Sequence, residues 1–138
     1  MAKSIRDVMT QNPRTVSNGD SVTDAARRMR DEDAGVVPIV DGDRLVGVLT
    51  DRDIVLRVVA DGRDPSSARV EEIASENLVT IDPDQGLDEA MRLMAKHQVR
   101  RLPVCEEDGR LIGIVAQADI AKHAGAKRTG EVVEQISS

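Results

Sequence analysis

The stretch Leu45-Val-Gly-Val-Leu-Thr-Asp-Arg-Asp-Ile54 returns 66 residues later as Leu111-Ile-Gly-Ile-Val-Ala-Gln-Ala-Asp-Ile120. In each copy a run of branched aliphatic residues around one glycine reads as a strand, and the residues that follow lead into a helical run. Upstream, an offset of 65 residues places Pro38 on Pro103 and sets Val22, Ala25, Ala26 and Met29 on Leu87, Ala90, Met91 and Met94. Both sets follow the i, i+3, i+4, i+7 spacing of an amphipathic helix, and Ser21 with Asp24 supplies an N-terminal capping pattern for the first. The offset changes in the polar turn between two strands, Asp41-Gly-Asp43 in one copy and Glu106-Glu-Asp-Gly109 in the other. An added residue is readily accommodated there.

Each copy thus has the order β-α-β-β-α. A short extended piece (Thr15-Val16 or Thr80-Ile81) leads to the amphipathic helix, and a β-rich run follows (Val36-Val-Pro-Ile-Val40 or Arg101-Leu-Pro-Val-Cys105). After the turn come the second strand and a closing helix, expected over 51–60 or 117–124. The class is α/β (α+β), with a first repeat at 4–60, a linker at 61–68, a second repeat at 69–124 and a tail at 125–138. In the tail, Glu131-Val-Val-Glu-Gln-Ile136 fits a short helix. A unit of about 55 residues buries too little apolar surface to be secure alone. The two copies are therefore expected to pack on each other about a pseudo-two-fold axis, leaving two related clefts suited to small ligands.

Of the 138 residues, 40% are apolar and 32% charged, the balance of a globular chain and not of a disordered one. Phe, Tyr and Trp are absent, so the core must be aliphatic and an adenine ring would have to lie between aliphatic side chains. A net charge of −6 argues against nucleic acid as the main partner, because that affinity comes from clustered Lys and Arg neutralising phosphates. The segment Met1 to Met9 has no apolar leader, and the longest apolar runs are of strand length; no membrane partner and a cytoplasmic location are expected. Cys105 alone cannot form an internal disulfide, and with His97 and His123 it makes no zinc-like spacing. Without a nucleophile–base pair, Walker loop or dinucleotide fingerprint, neither an enzyme nor an obligatory cofactor is expected.

With these features the sequence resembles the CBS-domain family, named for cystathionine β-synthase, over about residues 4 to 124. The markers are the doubled element order, Gly35-Val-Val-Pro38 and Arg101-Leu-Pro103, and the run Gly47-Val-Leu-Thr-Asp-Arg-Asp53, repeated at one offset. The resemblance implies a tandem pair acting as a regulatory sensor. Such modules bind AMP, ADP, ATP, S-adenosylmethionine or NAD between the repeats, commonly dimerise into a flat disk, and signal to a regulated protein, here unidentified. Carried over by position, Thr50 and Asp53 would hold the ribose hydroxyls or α-phosphate, flanked by Asp51 and Arg52. Gly35, Val36, Val37 and Pro38 would line an adenine pocket through backbone groups, and Thr15 joins them from the extended piece. In the second repeat, Arg100 and Arg101 would meet phosphate, while Pro103 and Asp119 correspond to Pro38 and Asp53. Ala116 departs from the pattern, standing where the first repeat has Thr50.

The chemistry of these residues admits two uses. A carboxylate accepts two hydrogen bonds from a cis-diol, and a hydroxyl at a helix start lies beside free backbone N–H groups, as a ribose or phosphate site needs. The same Thr-x-x-Asp spacing is a capping box that stabilises a helix with no ligand present. Both roles can coexist. Arg100 and Arg101 should alternate across a strand, so that one can face a cleft; as a solvated pair they would balance Glu106 and Glu107 instead. The hydroxyl missing at Ala116 is worth about 0.5–1.5 kcal/mol, which makes the first repeat the expected better ribose site. Cys105 reads as a buried, inert thiol, and Met9, Met29, Met91 and Met94 read as core filler. His97 and His123 read as surface residues. Should the clefts be degenerate, the alternative is a ligand-free dimeric interaction scaffold or stress-associated protein.

Overall fold

The computed structural model describes residues 3–75 and 78–123; the tail and its expected helix lie outside them. In chain order the elements are α1 (Ile5–Val8), β1 (Thr10–Gln11), β2 (Val16–Ser17), α2 (Val22–Glu32), β3 (Val36–Asp41) and β4 (Arg44–Thr50). They continue with α3 (Asp51–Ile54), a π-helical turn at Val55–Val59, α4 (Val70–Ile73), α5 (Leu87–His97), β5 (Arg101–Cys105), β6 (Leu111–Ala116) and α6 (Gln117–Ala121). The strands form two three-stranded sheets, ordered β2-β3-β4 and β1-β6-β5, within a mixed α/β architecture.

The helices form where the apolar stripe predicted them. In α2, the Ser21 hydroxyl accepts from the Asp24 N–H at 3.1 Å, and Val22, Ala25 and Met29 turn inward. In α5, Ala90, Met91 and Met94 do the same. Both helices stop on a left-handed residue that is not glycine, Asp33 at φ 50° and Gln98 at φ 53°.

Each sheet carries a proline in its central β3, or in β5, where a missing N–H should break a ladder. The placement avoids that loss. In β5 the Pro103 carbonyl accepts from the Ile81 N–H at 3.0 Å, and Cys105 donates to the Ile81 carbonyl at 3.0 Å. The polar edge of Pro103 therefore faces the short Ile81 bridge, which needs no N–H from it, and not the long hairpin with β6. Pro38 has the same position, one residue before the Val16–Ile39 pair of the parallel β2–β3 ladder.

The packing units cut across the sequence repeats. One unit runs from Arg14 to Leu78, and the other combines the residues up to Pro13 with those from Val79 onward. The short helix that opens each repeat thus packs with the sheet of the other repeat. In the Arg14–Leu78 unit, Val70 and Ile73 of α4 join Val22, Val37, Ile39 and Leu49 in the core. In the other unit, Ile5 and Val8 of α1 join Met94, Leu102, Val104 and Val115. Sequence reading missed both short helices, although Ile5 and Val8 recur as Val70 and Ile73 at the offset of 65. The segment read as a linker, 61–68, consists of exposed turns up to Ser67, but Ala68 is buried and its carbonyl accepts from the Val22 N–H at 2.9 Å.

Two expectations need correction. The closing helix placed over 51–60 is α-helical only to Ile54; beyond it a bond from the Ala60 N–H to the Val55 carbonyl, 2.9 Å, widens the turn. That turn buries Val58 and is tied to α4 by the Arg57 guanidinium, which donates to the carbonyls of Ile73 (3.0 Å) and Ala74 (3.2 Å). Its second counterpart, placed over 117–124, ends at Ala121. Among the described residues no helix is long and apolar enough to cross a membrane.

Candidate functional site

The β3–β4 register, Val36 opposite Thr50 and Val37 opposite Leu49, brings the Gly35–Pro38 segment beside Thr50–Asp53. The Gly35 carbonyl accepts from the Asp51 N–H at 2.9 Å, fixing where strand passes into helix. Val37 and Pro38 are buried, so they can offer a ligand only backbone groups, whereas Gly35 is exposed and Val36 half-buried. The parallel pairing of Val16 with Ile39 sets Thr15 level with Pro38, across β3 from β4.

At the helix start the capping box is fully formed. The Thr50 hydroxyl accepts from the Asp53 N–H at 3.1 Å, and the Asp53 carboxylate accepts from the Thr50 N–H at 3.0 Å. Asp53 is only 7% exposed, and burying a carboxylate requires such partners. A further one comes from Ser75, whose hydroxyl lies 3.2 and 3.1 Å from the two carboxylate oxygens. Ser75 is held there by its bridge to Val48 of β4. Its role was not read from the sequence; the available signal was the hydroxyl repeated at Thr10 and Ser75 with the 65-residue offset.

Asp51 is exposed, and its carboxylate accepts from the Arg52 N–H at 2.8 Å. It lies so close to Gly35 that a Cβ on that glycine would come within 2.9 Å of Oδ2. Gly35 and Asp51 border an open hollow of about 440 Å³ with an aliphatic floor of Ala26, Met29, Ala34, Ile54 and Val55, and with Arg30 and Asp33 at its edge. Its volume falls in the range of small-molecule sites. Thr50 and Asp53 do not line it.

In the other unit, Arg101 pairs with Ala116, and the Gln117 N–H donates to the Arg100 carbonyl at 2.8 Å. The Ala116 N–H donates to Asp119 at 2.9 Å, so half of the capping box survives without the hydroxyl. Arg100 and Arg101 are exposed and have no ion pair among the described residues. Of the two balancing partners expected for them, Glu106 and Glu107, Glu106 instead pairs with Arg110 at 3.4 Å, four residues along the hairpin. Pro103 and Asp119 are half-buried. The side-chain amide nitrogen of Gln117 is buried and has no hydrogen-bond partner among the described residues, a feature with no sequence signal. Cys105 is half-buried in β5, where desolvation pushes its thiol up to about 11.

A strand–helix junction built twice on one backbone pattern is the recurring unit of a known domain. The CBS-domain model matches residues 5–60 and 70–125, and the chain belongs to the CBS-domain family, of which it carries a tandem pair. Hypoxic response protein 1 of Mycobacterium tuberculosis (strain H37Rv) is 42% identical over 134 residues, covering 96% of this chain and 93% of that protein. A crystal structure of hypoxic response protein I with two coordinated zinc ions matches with a TM-score of 0.79 and 43% identity, covering 88% of this chain and 98% of that one. CBSX2 in complex with AMP matches with a TM-score of 0.75 at 26% identity, over 88% of this chain and 96% of that one. The CBS pair of MJ0100 in complex with 5′-methylthioadenosine and S-adenosylmethionine gives 0.76 at 27%, over 92% and 99%. No three His, Cys, Asp or Glu side chains among the described residues are grouped to hold a metal ion.

Proposed function

We propose that this CBS pair is a regulatory module that binds an adenosyl compound, AMP, ADP, ATP, S-adenosylmethionine or NAD, at its strand–helix junctions. Occupancy would shift the packing of the chain, for which the ligand must have different affinities for the two states. A partner protein would read that shift, with a cytoplasmic homodimer as the working form. The observation carrying this reading is the first-repeat junction, where the Gly35–Pro38 backbone, the Thr50 hydroxyl and the Asp53 carboxylate meet at one strand end. The AMP, methylthioadenosine and S-adenosylmethionine complexes of CBS proteins of similar fold support it. By this reading Arg52, Arg100, Arg101 and Asp119 are further ligand contacts, and Thr15 and Pro103 help shape the two junctions.

A specific observation favours the second reading, a ligand-free scaffold. Asp53 is already satisfied by Thr50 and Ser75, so a ribose would have to displace the Ser75 hydroxyl. A thermal-shift series against the five compounds separates the two. Ligand at 100 times its Kd adds about 2.7 kcal/mol of stability, and at least one compound is expected to raise the melting temperature accordingly. No shift from any compound would leave the scaffold.

A further inference from the structure

Between β2 and α2 the chain makes a tight turn of Ser17, Asn18, Gly19 and Asp20. It is closed by the Asp20 N–H, which donates to the Ser17 carbonyl at 2.9 Å, and by the Asp20 carboxylate, which accepts from the Ser17 N–H at 2.8 Å. Asn18 is held by its main chain alone. Its N–H donates to the Val40 carbonyl at 3.0 Å, and its side-chain amide has no hydrogen-bond partner among the described residues. The Gly19 N–H has no acceptor there either. Gly19 is exposed, and no atom beyond its chain neighbours lies within 4 Å of where a Cβ would stand. An unengaged, unshielded backbone nitrogen thus follows an unheld side-chain amide.

We infer that Asn18 is a site of spontaneous covalent modification, at which the Gly19 nitrogen closes on the Asn18 side chain and the turn ages to aspartate and isoaspartate. The Gly19 N–H gives its proton to hydroxide, and the nitrogen forms a bond to Asn18 Cγ. The side-chain nitrogen leaves as ammonia, taking a proton from water, and a succinimide ring remains. A further water opens the ring. Attack at Cγ leaves aspartate, whereas attack at the main-chain carbonyl carbon leaves isoaspartate, with the backbone rerouted through Cγ. Glycine permits this approach because it has no Cβ to obstruct it. No other asparagine combines these features. Asn12 precedes Pro13, which has no N–H, and Asn77 precedes Leu78, whose branched side chain obstructs the approach. Asp61-Gly62 and Asp108-Gly109 offer ionised carboxylates, which are poor electrophiles, and their glycine N–H groups donate to the carbonyls of Val59 (3.1 Å) and Glu106 (2.9 Å).

The turn also clasps the start of α4. The Gly19 carbonyl accepts from the Arg69 guanidinium at 2.7 Å, the Asp20 carbonyl accepts from the Val70 N–H at 2.9 Å, and Ser21 bridges to Arg69. Isoaspartate at 18 inserts a methylene ahead of both carbonyls and shifts them from these donors. Val70 and Ile73 of α4 belong to the core of the Arg14–Leu78 unit, so ageing at Asn18 loosens the helix on which that core depends.

The test ages the full chain in neutral buffer beside the free peptide 15–27, then digests the chain with trypsin, which cuts after Arg14 and Arg27. Mass spectrometry should show the 15–27 fragment gaining the mass of an amide-to-acid exchange at a rate within several-fold of the free peptide. Protein isoaspartyl methyltransferase should label it, and Gly19→Ala should slow the conversion several-fold. The isoaspartyl fraction should melt below the parent by a few degrees, the shift that loss of a single hydrogen bond gives in a domain of this size. Asn18→Asp, which adds the charge without the methylene, should melt with the parent. An unmodified Asn18 in the folded chain while the peptide converts, or conversion as fast in Gly19→Ala, would overturn the inference. An isoaspartyl fraction that melts no lower than Asn18→Asp would remove its effect on α4.

Discussion

At Gly113 a Cβ would come within 2.5 Å of Met9 Sδ and 2.9 Å of the Thr10 carbonyl oxygen, whereas at Gly47, its partner in the repeat, the nearest atom is Ala74 Cβ at 3.6 Å. Overpacking against backbone costs about 1–3 kcal/mol, so Gly113→Ala is expected to lower the unfolding free energy by that much, read as a lower urea midpoint at unchanged slope. Gly47→Ala should stay within about 1 kcal/mol of the parent, as a change without such a clash does. The sequence pairs the two glycines correctly but cannot distinguish them, since the difference lies in Met9 against Ala74, each the residue just past a short helix from elsewhere in the chain. Cys105, read as an inert thiol, sits half-buried with its ionisation pushed from 9.0 up to about 11 by desolvation. A raised acid favours the protonated form in the folded state. Its contribution to stability is present below the unfolded value and is lost as pH rises through the folded one. Alkylation by iodoacetamide at pH 8 should therefore be slow in the native chain and become fast in denaturant; equal rates would contradict the burial.

At the scale of single elements, the amphipathic stripes of α2 and α5 were legible because burying one face leaves a 3.6-residue period in the sequence. Their ends were not. Gln98 closes α5 at φ 53°, a conformation costly for an L side chain and free for glycine. Gln98→Gly is expected to raise stability by ~0.5–1 kcal/mol after the entropy cost of glycine, read as an increase in melting temperature. The start of α3 was legible only as an ambiguity, since the Thr50–Asp53 spacing serves a cap or a ribose equally. The structure fills the cap completely, and the third partner, Ser75, comes from a segment 22 residues away, beyond any local pattern. Ser75→Ala would strip one partner from a buried carboxylate and should cost about 1–3 kcal/mol of stability. It would also open Asp53 to a ligand hydroxyl, so ligand affinity should hold or rise as stability falls.

For the whole molecule, the doubled β-α-β-β-α order was readable because each strand and helix repeats its own periodicity. The exchange of leading helices was not, because only tertiary contacts decide which sheet covers Ile5 and Val8 or Val70 and Ile73. Those four side chains are at most 8% exposed, so each unit depends on a segment from the far side of the repeat boundary. Residues 1–64 expressed alone lack α4 and should show no cooperative unfolding transition, and co-expression with residues 65–138 should restore one. A cooperative melt of 1–64 by itself would show that the exchanged helix is dispensable. The most direct test of ligand binding is a calorimetric titration of the intact chain with AMP and S-adenosylmethionine, set beside Asp53→Asn, which keeps an acceptor for the Thr50 N–H but loses the charge. Saturable binding that weakens at least about tenfold in the variant, as loss of a charged hydrogen bond requires, is the predicted result; no saturable heat from the parent, or an unchanged affinity in Asp53→Asn, would contradict it.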